Sequence, residues 1–359
     1  GFRVLGFDIQ QRRVDSVNRG ESYIADVDSN RLSTLTAKGY LEATRNQDRF
    51  QEVDALCICV PTPLTKTKDP DLSYVIKESG EISKHLQRGQ LIVLESTTYP
   101  GTTQEVVLPI LERSGLKGGL DFHLAYSPER VDPGNKKYVI RNTPKIVGGI
   151  NSESTRLAEL LYRHIVDVVV PVSSSQVAEM TKVFENVFRS VNIALVNELA
   201  QLCEKMDISI WEVIEAASTK PFGYMPFYPG PGVGGHCIPL DPYYLANKAK
   251  EYDFHTRFIA LAAEINERMP YYVTSRIMEA LNAQGKSLND AKVLVLGVTY
   301  KKDVADIRES PPLRLLELLH QRGAQVSYND PYAPKIQLRQ YNLTSHEISD
   351  DYLSSMDCV

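Results

Sequence analysis

The stretch LIVLESTTYPGTTQEVVLPILERSGLKGGLDFHLAYS, residues 91–127, carries the clearest structural pattern in the first half of the chain. It begins with the apolar run 91–96, continues through a helical periodicity at 102–113, and closes on the apolar run 123–127. Both runs are too apolar for strands with a solvent-exposed face, so we expect burial on both faces. A strand, a helix and a strand in this order predict a unit of parallel sheet.

The same alternation extends outward from this stretch. Apolar runs predict further strands at 3–8, 55–60, 145–149 and 167–172, and helical stretches lie at 73–86 and 152–164. Repeated strand–helix alternation predicts a doubly wound parallel sheet of the Rossmann type over residues 1–172.

The pattern changes at residue 173. A long amphipathic helix follows, with a possible capping box made by Ser173 and Gln176 and an apolar stripe from Val177 to Leu195. A loop rich in proline and glycine occupies 221–242, and a second helical stretch runs over 243–283. Strands at 292–300 and 325–330, with a helix after Pro311, complete the chain. The class is therefore α/β, with domains at 1–172, 173–287 and 288–359.

The sequence pattern at both ends predicts that the chain is truncated. The first strand ends in Asp8, as the second strand of a dinucleotide-binding fold does, and no G-x-G-x-x-G turn precedes it. The closing SSMDCV stops where a new strand is expected. We therefore expect a fragment that, as written, binds NAD poorly.

Composition narrows the class of protein. A net charge of -5 argues against a nucleic-acid binder, and no apolar run is long enough for a membrane span. The five cysteines are scattered, which favours free thiols in a cytoplasmic protein. Cys57 and Cys59 are expected to be buried packing on one face of a strand.

Strand ends carry the candidate cofactor site. Asp8 is placed to bind a ribose, which would favour NAD over NADP. Capping of the next helix would explain this aspartate equally well. Arg12 and Arg13 follow it and could instead bind the 2′-phosphate of NADP. Three loops, CVPTPL (59–64), ESTTYPGTT (95–103) and SPERVDPG (127–134), follow other strands. Each alone could be a stiff loop, but three at one edge of a sheet predict a site.

The long helix carries a polar line. Lys182 and Asn186 are four residues apart and share a face, and Glu179, Ser190 and Asn197 extend the line. A solvated stripe is the simpler interpretation, yet asparagine is a poor helix former, and three of them call for partners.

The stretch FYPGPGVGGHCIPLDP (227–242) contains the strongest local signal. Its glycines would let a ligand approach the backbone, and Cys237, with Asp241 four residues later, sits where a thiolate is stabilised as a nucleophile. Cys237 and His236 could belong to a metal site, but the sequence offers no second ligand pair at the spacing that zinc requires. A structural, buried cysteine is the simplest alternative to a nucleophile. Further on, Lys301, Lys302 and Arg308 suit phosphate binding, unless they form only a charged turn.

Together these segments resemble the UDP-glucose / UDP-N-acetylhexosamine 6-dehydrogenase family over nearly the whole chain. The most specific matches are 221–242, KVFEN (182–186) and 298–312. The resemblance implies an N-terminal NAD domain, a long central helix that forms a homodimer, and a C-terminal Rossmann-like domain that binds the UDP moiety. It also implies an acid sugar for polysaccharide synthesis. The spacing of Cys237 and His236 predicts no metal site.

The resemblance assigns catalytic roles. Cys237 would attack the aldehyde formed by a first hydride transfer to NAD, giving a thiohemiacetal, then a thioester that water hydrolyses. Lys182 would stabilise the oxyanion, and Asn186 would help to fix it. Asp241 and Thr97 would orient the water and the lysine. Glu129 would serve proton transfer or hydrolysis.

It also assigns binding residues. Cofactor contacts would come from Asp8, Arg13, Val60, Pro61, Thr62, Pro63, Ser96, Thr97 and Arg308. Besides Glu129, Lys182 and Asn186, substrate contacts would come from Arg130, Val131, Tyr228, Pro229, Gly230, Gly232, Gly234, Tyr300 and Lys301.

One position bears on the substrate. The UDP-glucose members usually have a lysine before the aspartate that follows the cysteine, and here that residue is Leu240. The loop is more similar to UDP-N-acetylglucosamine members, which favours that substrate over UDP-glucose and UDP-N-acetylmannosamine. A single-step hydroxyacid dehydrogenase with a Lys–Asn pair and an inactive UDP-sugar-binding module remain alternatives.

Overall fold

The computed structural model describes residues 1–24, 27–65, 67–132, 134–235, 237–339 and 341–359, without the side chains of Cys237 and Pro239. The chain divides into two compact units, Gly1–Val183 and Phe184–Val359. The three predicted domains, at 1–172, 173–287 and 288–359, stay a prediction. Within the described ranges, no helix combines the length and apolar content that crossing a membrane requires.

The first unit contains two groups of strands. Its strands are β1 (Val4–Phe7), β2 (Leu41–Thr44), β3 (Ala55–Ile58), β4 (Leu91–Leu94), β5 (His123–Tyr126), β6 (Lys145–Gly149) and β7 (Val169–Pro171). β1 pairs with β2, and β3 to β7 form one sheet in that order. The six predicted strands of this region are confirmed. β2 was not predicted because LEAT is short and half polar.

The helices of the first unit lie between these strands. They are α1 (Gln11–Asn18), α2 (Ser29–Ala37), α3 (Ser73–His85), α4 (Leu108–Leu111) and α5 (Ser152–Arg163). The helix predicted at 102–113 is divided into a π-helical turn, Thr103–Val107, then α4, then a 3-10 turn, Glu112–Ser114.

The strand directions correct the predicted all-parallel sheet. β3, β4 and β5 are parallel, but β6 runs antiparallel to β5, with Ala125 opposite Gly149. A parallel pair needs a long crossover, usually a helix, and the described residues of 127–144 form none. α5 does connect β6 to β7, and that pair is parallel.

Both faces of the sheet are buried along β4, as predicted for that strand. Ile92 and Leu94 belong to one core cluster, whereas Leu91 and Val93 belong to another. Because side chains alternate along a strand, these two clusters lie on opposite faces.

The long helix α6 (Ser175–Lys205) begins later than predicted. The Oγ of Ser174 accepts a hydrogen bond from the backbone N–H of Val177 at 3.2 Å. The predicted cap at Ser173 is therefore wrong, because the helix starts one residue further along than that cap requires.

α6 buries a line of polar residues and exposes several large apolar ones. Its buried residues include the polar line, which consists of Glu179, Lys182, Asn186, Ser190 and Asn197. Large apolar side chains are exposed on the same helix, namely Val177, Met180, Phe184, Phe188, Leu195, Leu199 and Leu202. The simpler interpretation of the polar line as a solvated stripe is therefore wrong.

The second unit combines helices with short strands. Its further elements are α7 (Ile210–Ser218), α8 (Cys237–Ala249), α9 (Arg257–Ala283), β8 (Lys292–Leu296), α10 (Pro311–Gln321), β9 (Gln325–Asn329), β10 (Lys335–Gln337), β11 (Asn342–Thr344) and α11 (Asp350–Ser354). β8 and β9 are parallel, and β10 and β11 are antiparallel. The predicted new strand is supported by a parallel bridge between Val293 and Cys358.

The predicted loop at 221–242 is too long, because α8 begins inside it at Cys237. Pro239 lies in the first turn, where a missing N–H removes no helical hydrogen bond, and only Pro242 interrupts the helix interior. The predicted helical stretch 243–283 is likewise two helices, separated at residues 250–256.

Candidate active site

Asp8 lies just beyond the carboxyl end of β1. Its Oδ1 accepts the backbone N–H of Gln10 at 2.8 Å, and its Oδ2 accepts Arg13 Nη1 at 3.1 Å. Both side chains stay partly exposed, at 28% for Asp8 and 47% for Arg13. Because Arg13 is engaged by this carboxylate, the pair suits uncharged ribose hydroxyls better than a 2′-phosphate.

The loops after β3 and β4 are tied to each other. Ser96 Oγ donates to the carbonyl oxygen of Val60 at 2.7 Å. Thr62 is buried within the first loop, between Pro61 and Pro63, and Thr97 is half-buried in the second. The predicted cofactor residues of these loops thus lie at carboxyl ends of neighbouring parallel strands, an edge that fits a dinucleotide.

Glu179 anchors the second loop to α6. Its carboxylate accepts the backbone N–H groups of Gly101, at 2.6 Å, and Thr103, at 2.8 Å, together with the Thr103 hydroxyl at 2.6 Å. Burial raises the pKa of Glu179 to about 7, although the three hydrogen bonds favour the ionised form. A buried carboxyl group therefore fixes the loop that carries Thr97.

Glu129 joins the third loop to the catalytic candidate on α6. Its backbone carbonyl oxygen accepts Lys182 Nζ at 2.7 Å. Its carboxylate Oε1 accepts the backbone N–H groups of Arg130 and Val131, each at 2.7 Å. The structure thus brings together Glu129 and Lys182, two residues that the sequence assigned to the site.

Three residues beside Glu129 were not predicted. Lys145, at the start of β6, lies 3.6 Å from Glu129 Oε2 and 3.5 Å from Glu95 Oε1. Glu95 also accepts a hydrogen bond from the hydroxyl of Tyr162 on α5. The sequence does contain a signal for two of them: Glu95 and Lys145 are charged residues at the ends of the buried apolar runs LIVLES and KIVGG.

Cys57 and Cys59 adjoin this group. Cys57 Sγ lies 3.9 Å from the Tyr162 hydroxyl, and Cys59 Sγ lies 3.7 Å from Glu95 Oε2. Their common side of the strand agrees with the prediction, but the predicted burial is wrong, because both residues are exposed. The opposite side of the same strand, with Leu56 and Ile58, packs in the core.

The second unit holds the other catalytic candidates. Asn186 donates to Asp241 Oδ2, and both residues are at most 5% exposed. Cys237 is the first residue of α8, and positions 237 and 241 share a face of that helix. The side chain of Cys237, and all of His236, lie outside the described residues.

The remaining asparagines of α6 also have partners, as the sequence suggested. Asn197 Nδ2 donates to Asn266 Oδ1 at 3.0 Å, and Asn197 Oδ1 accepts the backbone N–H of Gly230 at 3.0 Å. Asn192 Nδ2 donates to the carbonyl oxygen of Phe188 at 2.7 Å. Asn197 therefore anchors the glycine-rich loop to α6.

Glycines in this loop serve close packing within the protein. A Cβ at Gly234 would lie 2.7 Å from Tyr300 Cβ and 2.8 Å from Pro311 Cδ. A Cβ at Gly232 would lie 3.0 Å from the carbonyl oxygen of Asn266. Part of the glycine content thus reflects contact with Tyr300 and α10, and ligand approach stays a prediction.

We expect Gly234→Ala to destabilise the second unit by about 1–3 kcal/mol, because the added methyl overpacks against Tyr300 and Pro311. Gly230→Ala is the matched control, since a Cβ there meets nothing within 4 Å. Thermal denaturation of both variants measures the difference, and equal midpoints would contradict the packing role.

A cavity of about 1070 Å³ lies in the second unit beside this loop. Pro229, Gly230 and Gly297 line it, and Gly297 follows the carboxyl end of β8. At its rim Tyr228 stacks on Trp211, with ring centroids 6.2 Å apart. A crevice at the carboxyl end of a strand is where open α/β sheets bind ligands.

The segment after β8 contains the last predicted contacts. Tyr300 donates its backbone N–H to the carbonyl oxygen of Asp306 at 3.1 Å, and Lys301 is half-buried in the following turn. Arg308 binds the Asp306 carboxylate at 2.6 Å, and its carbonyl oxygen accepts the N–H of Gly235 at 3.2 Å. This segment therefore supports the glycine-rich loop directly.

Comparison with known proteins accounts for most of the chain. Models of the UDP-glucose/GDP-mannose dehydrogenase family match in three parts: the NAD binding domain over residues 1–166, the central domain over 176–268 and the UDP binding domain over 294–359. UDP-N-acetyl-D-glucosamine 6-dehydrogenase of Pseudomonas aeruginosa is 37% identical, covering 95% of this chain and 80% of that protein. UDP-N-acetyl-D-mannosamine dehydrogenase of Pyrococcus horikoshii is 38% identical, covering 92% and 78%. A solved structure of UDP-D-ManNAc dehydrogenase from Pyrococcus horikoshii superposes with a TM-score of 0.89 at 35% identity, covering 98% of this chain and 81% of that one.

Proposed function

Because the chain belongs to the UDP-glucose/GDP-mannose dehydrogenase family, we propose that it oxidises the C6 alcohol of UDP-N-acetylglucosamine to the carboxylate in two successive steps. Family membership makes it an NAD-dependent UDP-sugar dehydrogenase, and NAD is its cofactor. The observation that carries the finer proposal is the buried polar face of α6, where Lys182 and Asn186 each have a defined partner.

The choice of sugar rests on the glycine-rich loop. Leu240 stands where UDP-glucose members usually have lysine, and this favours an N-acetylhexosamine. Relatives named for UDP-N-acetylglucosamine and UDP-N-acetylmannosamine are similarly identical, at 37% and 38%. These sugars differ only in configuration at C2, so the mannosamine epimer is the main competitor and UDP-glucose the next.

Cys237 is the proposed nucleophile. As first residue of α8 it lies where the N–H groups of a helix N-terminus favour the thiolate. The thiolate adds to the aldehyde carbon to form a thiohemiacetal, which loses a hydride and a proton to become a thioester. Water then displaces the thiolate and leaves the carboxylate. NAD, when bound, accepts the hydride released in each oxidation.

The other candidates act around this covalent chemistry. Lys182, held by the carbonyl oxygen of Glu129, would stabilise the oxyanion, and Thr97 would help to orient the lysine. The Glu129 carboxylate would accept a proton during oxidation or hydrolysis. Asp241 would orient the attacking water, and its hydrogen bond from Asn186 would fix the carboxylate.

The binding residues follow the two ligands. NAD would be held by Asp8, Arg13, Ser96, Thr97 and residues 60–63 of the first unit, with Arg308 as a further contact. The UDP-sugar would be held by the remaining predicted contacts, which are Arg130, Val131, Tyr228, Pro229, Gly230, Gly232, Gly234, Tyr300 and Lys301. The cavity beside Gly230 and Gly297 supports the placement of the nucleotide.

Counting NADH per sugar tests the function. UDP-N-acetylglucosamine, UDP-N-acetylmannosamine and UDP-glucose would each be supplied in limiting amounts with excess NAD. Two NADH per UDP-N-acetylglucosamine, with higher kcat/KM than for the other sugars, would support the proposal. One NADH per sugar would indicate a single-step dehydrogenase, and binding without NADH would indicate an inactive module.

We also propose a homodimer formed through α6. Its exposed apolar face in the second unit includes Phe184, Leu195, Leu199 and Leu202. A continuous apolar stripe is self-complementary, as a two-fold interface requires. We expect Leu195→Glu to weaken dimerisation by at least about 100-fold, because it buries an unpaired charge.

Light scattering coupled to gel filtration measures the change in assembly. Ile348→Glu is the control, since Ile348 is similarly exposed but lies outside the helix. A wild-type protein that elutes as a monomer, or a Leu195→Glu variant that stays dimeric, would contradict this interface.

A further inference from the structure

Lys145 is a buried cation at the start of a buried strand. Its side chain is 11% exposed, and every residue of β6 is buried. Its ammonium lies 5.0 Å from the ring centroid of Tyr162 and close to two carboxylates. Burying a lysine is unfavourable unless its charge is compensated, so this arrangement calls for a reason.

The two carboxylates beside Lys145 differ in their surroundings. Glu95 is 15% exposed and accepts the Tyr162 hydroxyl, so it belongs to the buried side of the group. Glu129 is 52% exposed and contacts Lys145 through Oε2 at 3.6 Å. At 3.5 to 3.6 Å these are ion pairs and not direct hydrogen bonds, so Lys145 acts through its charge.

Glu129 connects Lys145 to the catalytic lysine. Its Oε1 is fixed by the N–H groups of Arg130 and Val131, which leaves Oε2 to Lys145. The same turn places the carbonyl oxygen of Glu129 2.7 Å from Lys182 Nζ. A change in the Glu129 carboxylate therefore alters the turn that holds Lys182.

We propose that Lys145 is a positioning residue of the reaction, holding Glu129 in the orientation that its proton transfer requires, with Glu95 and Tyr162 keeping Lys145 in place. This inference rests on the proposed function, because it takes Glu129 as the proton acceptor. The family resemblance assigns roles to Glu129 and Lys182 but none to Lys145, Glu95 or Tyr162.

Kinetics of Lys145→Met provide the first test. We expect kcat to fall by about 10- to 100-fold, the scale of a small misplacement at a reacting group, while KM for both ligands stays within about twofold. Lys145→Arg should recover most of the activity, because it keeps the charge. Lys117→Met is the matched control, since Lys117 lies 3.7 Å from Glu112 in an ion pair away from the site.

A double-variant cycle separates positioning from general destabilisation. In a Glu129→Gln background, Lys145→Met should lower kcat no further, because Lys145 acts through that carboxylate. An equal fall in both backgrounds, or an unchanged kcat in the single variant, would overturn the proposal. If Lys145→Met fails to fold, adding Glu95→Gln removes the buried charge that is left uncompensated. The Lys145→Met/Glu95→Gln double variant then replaces Lys145→Met in the cycle with Glu129→Gln.

Hydrogen exchange tests the geometry around Glu129 without an activity measurement. The backbone N–H groups of Arg130 and Val131 donate to Glu129 Oε1. Because Lys145→Met would loosen that carboxylate, these two amides should exchange several-fold faster in Lys145→Met than in the wild type. In Lys117→Met their exchange rates should not change. Unchanged exchange overturns the role of Lys145 even if the wild-type protein turns over UDP-sugar. A wild-type protein without NADH formation overturns the catalytic role and the proposed function together, whatever the exchange rates show.

Discussion

With Cys237→Ala, NADH formation from UDP-N-acetylglucosamine is expected to stop at one equivalent or less, with kcat lower by about 10³-fold or more. The thiol is needed because an aldehyde carbon must first become tetrahedral and carry an oxyanion before it can release a hydride. Alanine removes the proposed nucleophile that would form that adduct. Stopped-flow absorbance at limiting sugar measures both the burst and its amplitude.

A second thiol provides the control for this variant. Cys203 is half-buried in α6 and has no assigned role, so Cys203→Ser should keep two NADH per sugar. Full turnover by Cys237→Ala would reject the covalent chemistry. Mass spectrometry of the wild-type protein during turnover should show a thioester adduct, which the alanine variant lacks.

Glu179 should make stability depend on pH between about pH 4.5 and 7. Burial raises the pKa of Glu179 from 4.5 to about 7, so the folded protein binds the proton more tightly than the unfolded chain does. Its contribution to stability is therefore fully present below about pH 4.5 and is lost as pH rises through 7. The total loss is about 3 kcal/mol, from about 1.4 kcal/mol for each unit of the shift.

Thermal denaturation from pH 5 to 8 measures this dependence. Glu179→Gln should flatten the decline in midpoint, and it should lower the midpoint throughout, because the amide group is a poor partner for two backbone N–H groups. Glu198→Gln, at an exposed position of the same helix, should leave the wild-type slope unchanged. Parallel slopes for wild type and Glu179→Gln would contradict the raised pKa.

The strands could be predicted because strands buried on both faces read as continuous apolar runs. Leu91 to Leu94 and Lys145 to Gly149 are entirely buried, and both were located from the sequence. The direction of β6 could not be predicted in this way, since it depends on whether the preceding connection crosses the sheet. β2 was missed because two of its four residues are polar.

The site was predictable where its residues lie close in sequence. Lys182 and Asn186 share one helix face, so spacing identified them as neighbours, while their place in the site was implied by the family resemblance. Lys145, Glu95 and Tyr162 are brought together only by neighbouring strands and the helix that packs on them. Without the register of the sheet, no local pattern distinguishes them from ordinary strand ends.

The buried polar line and the exposed apolar residues of α6 invert the usual expectations of a saturation mutagenesis screen at those positions. At Asn197 or Glu179, leucine would fill the interior with carbon but would leave the N–H of Gly230 or Gly101 buried without an acceptor. At Leu199, by contrast, many polar replacements should leave the fold of a single chain intact. A substitution matrix derived from average globular proteins would therefore rank tolerated and damaging changes at these positions in the wrong order.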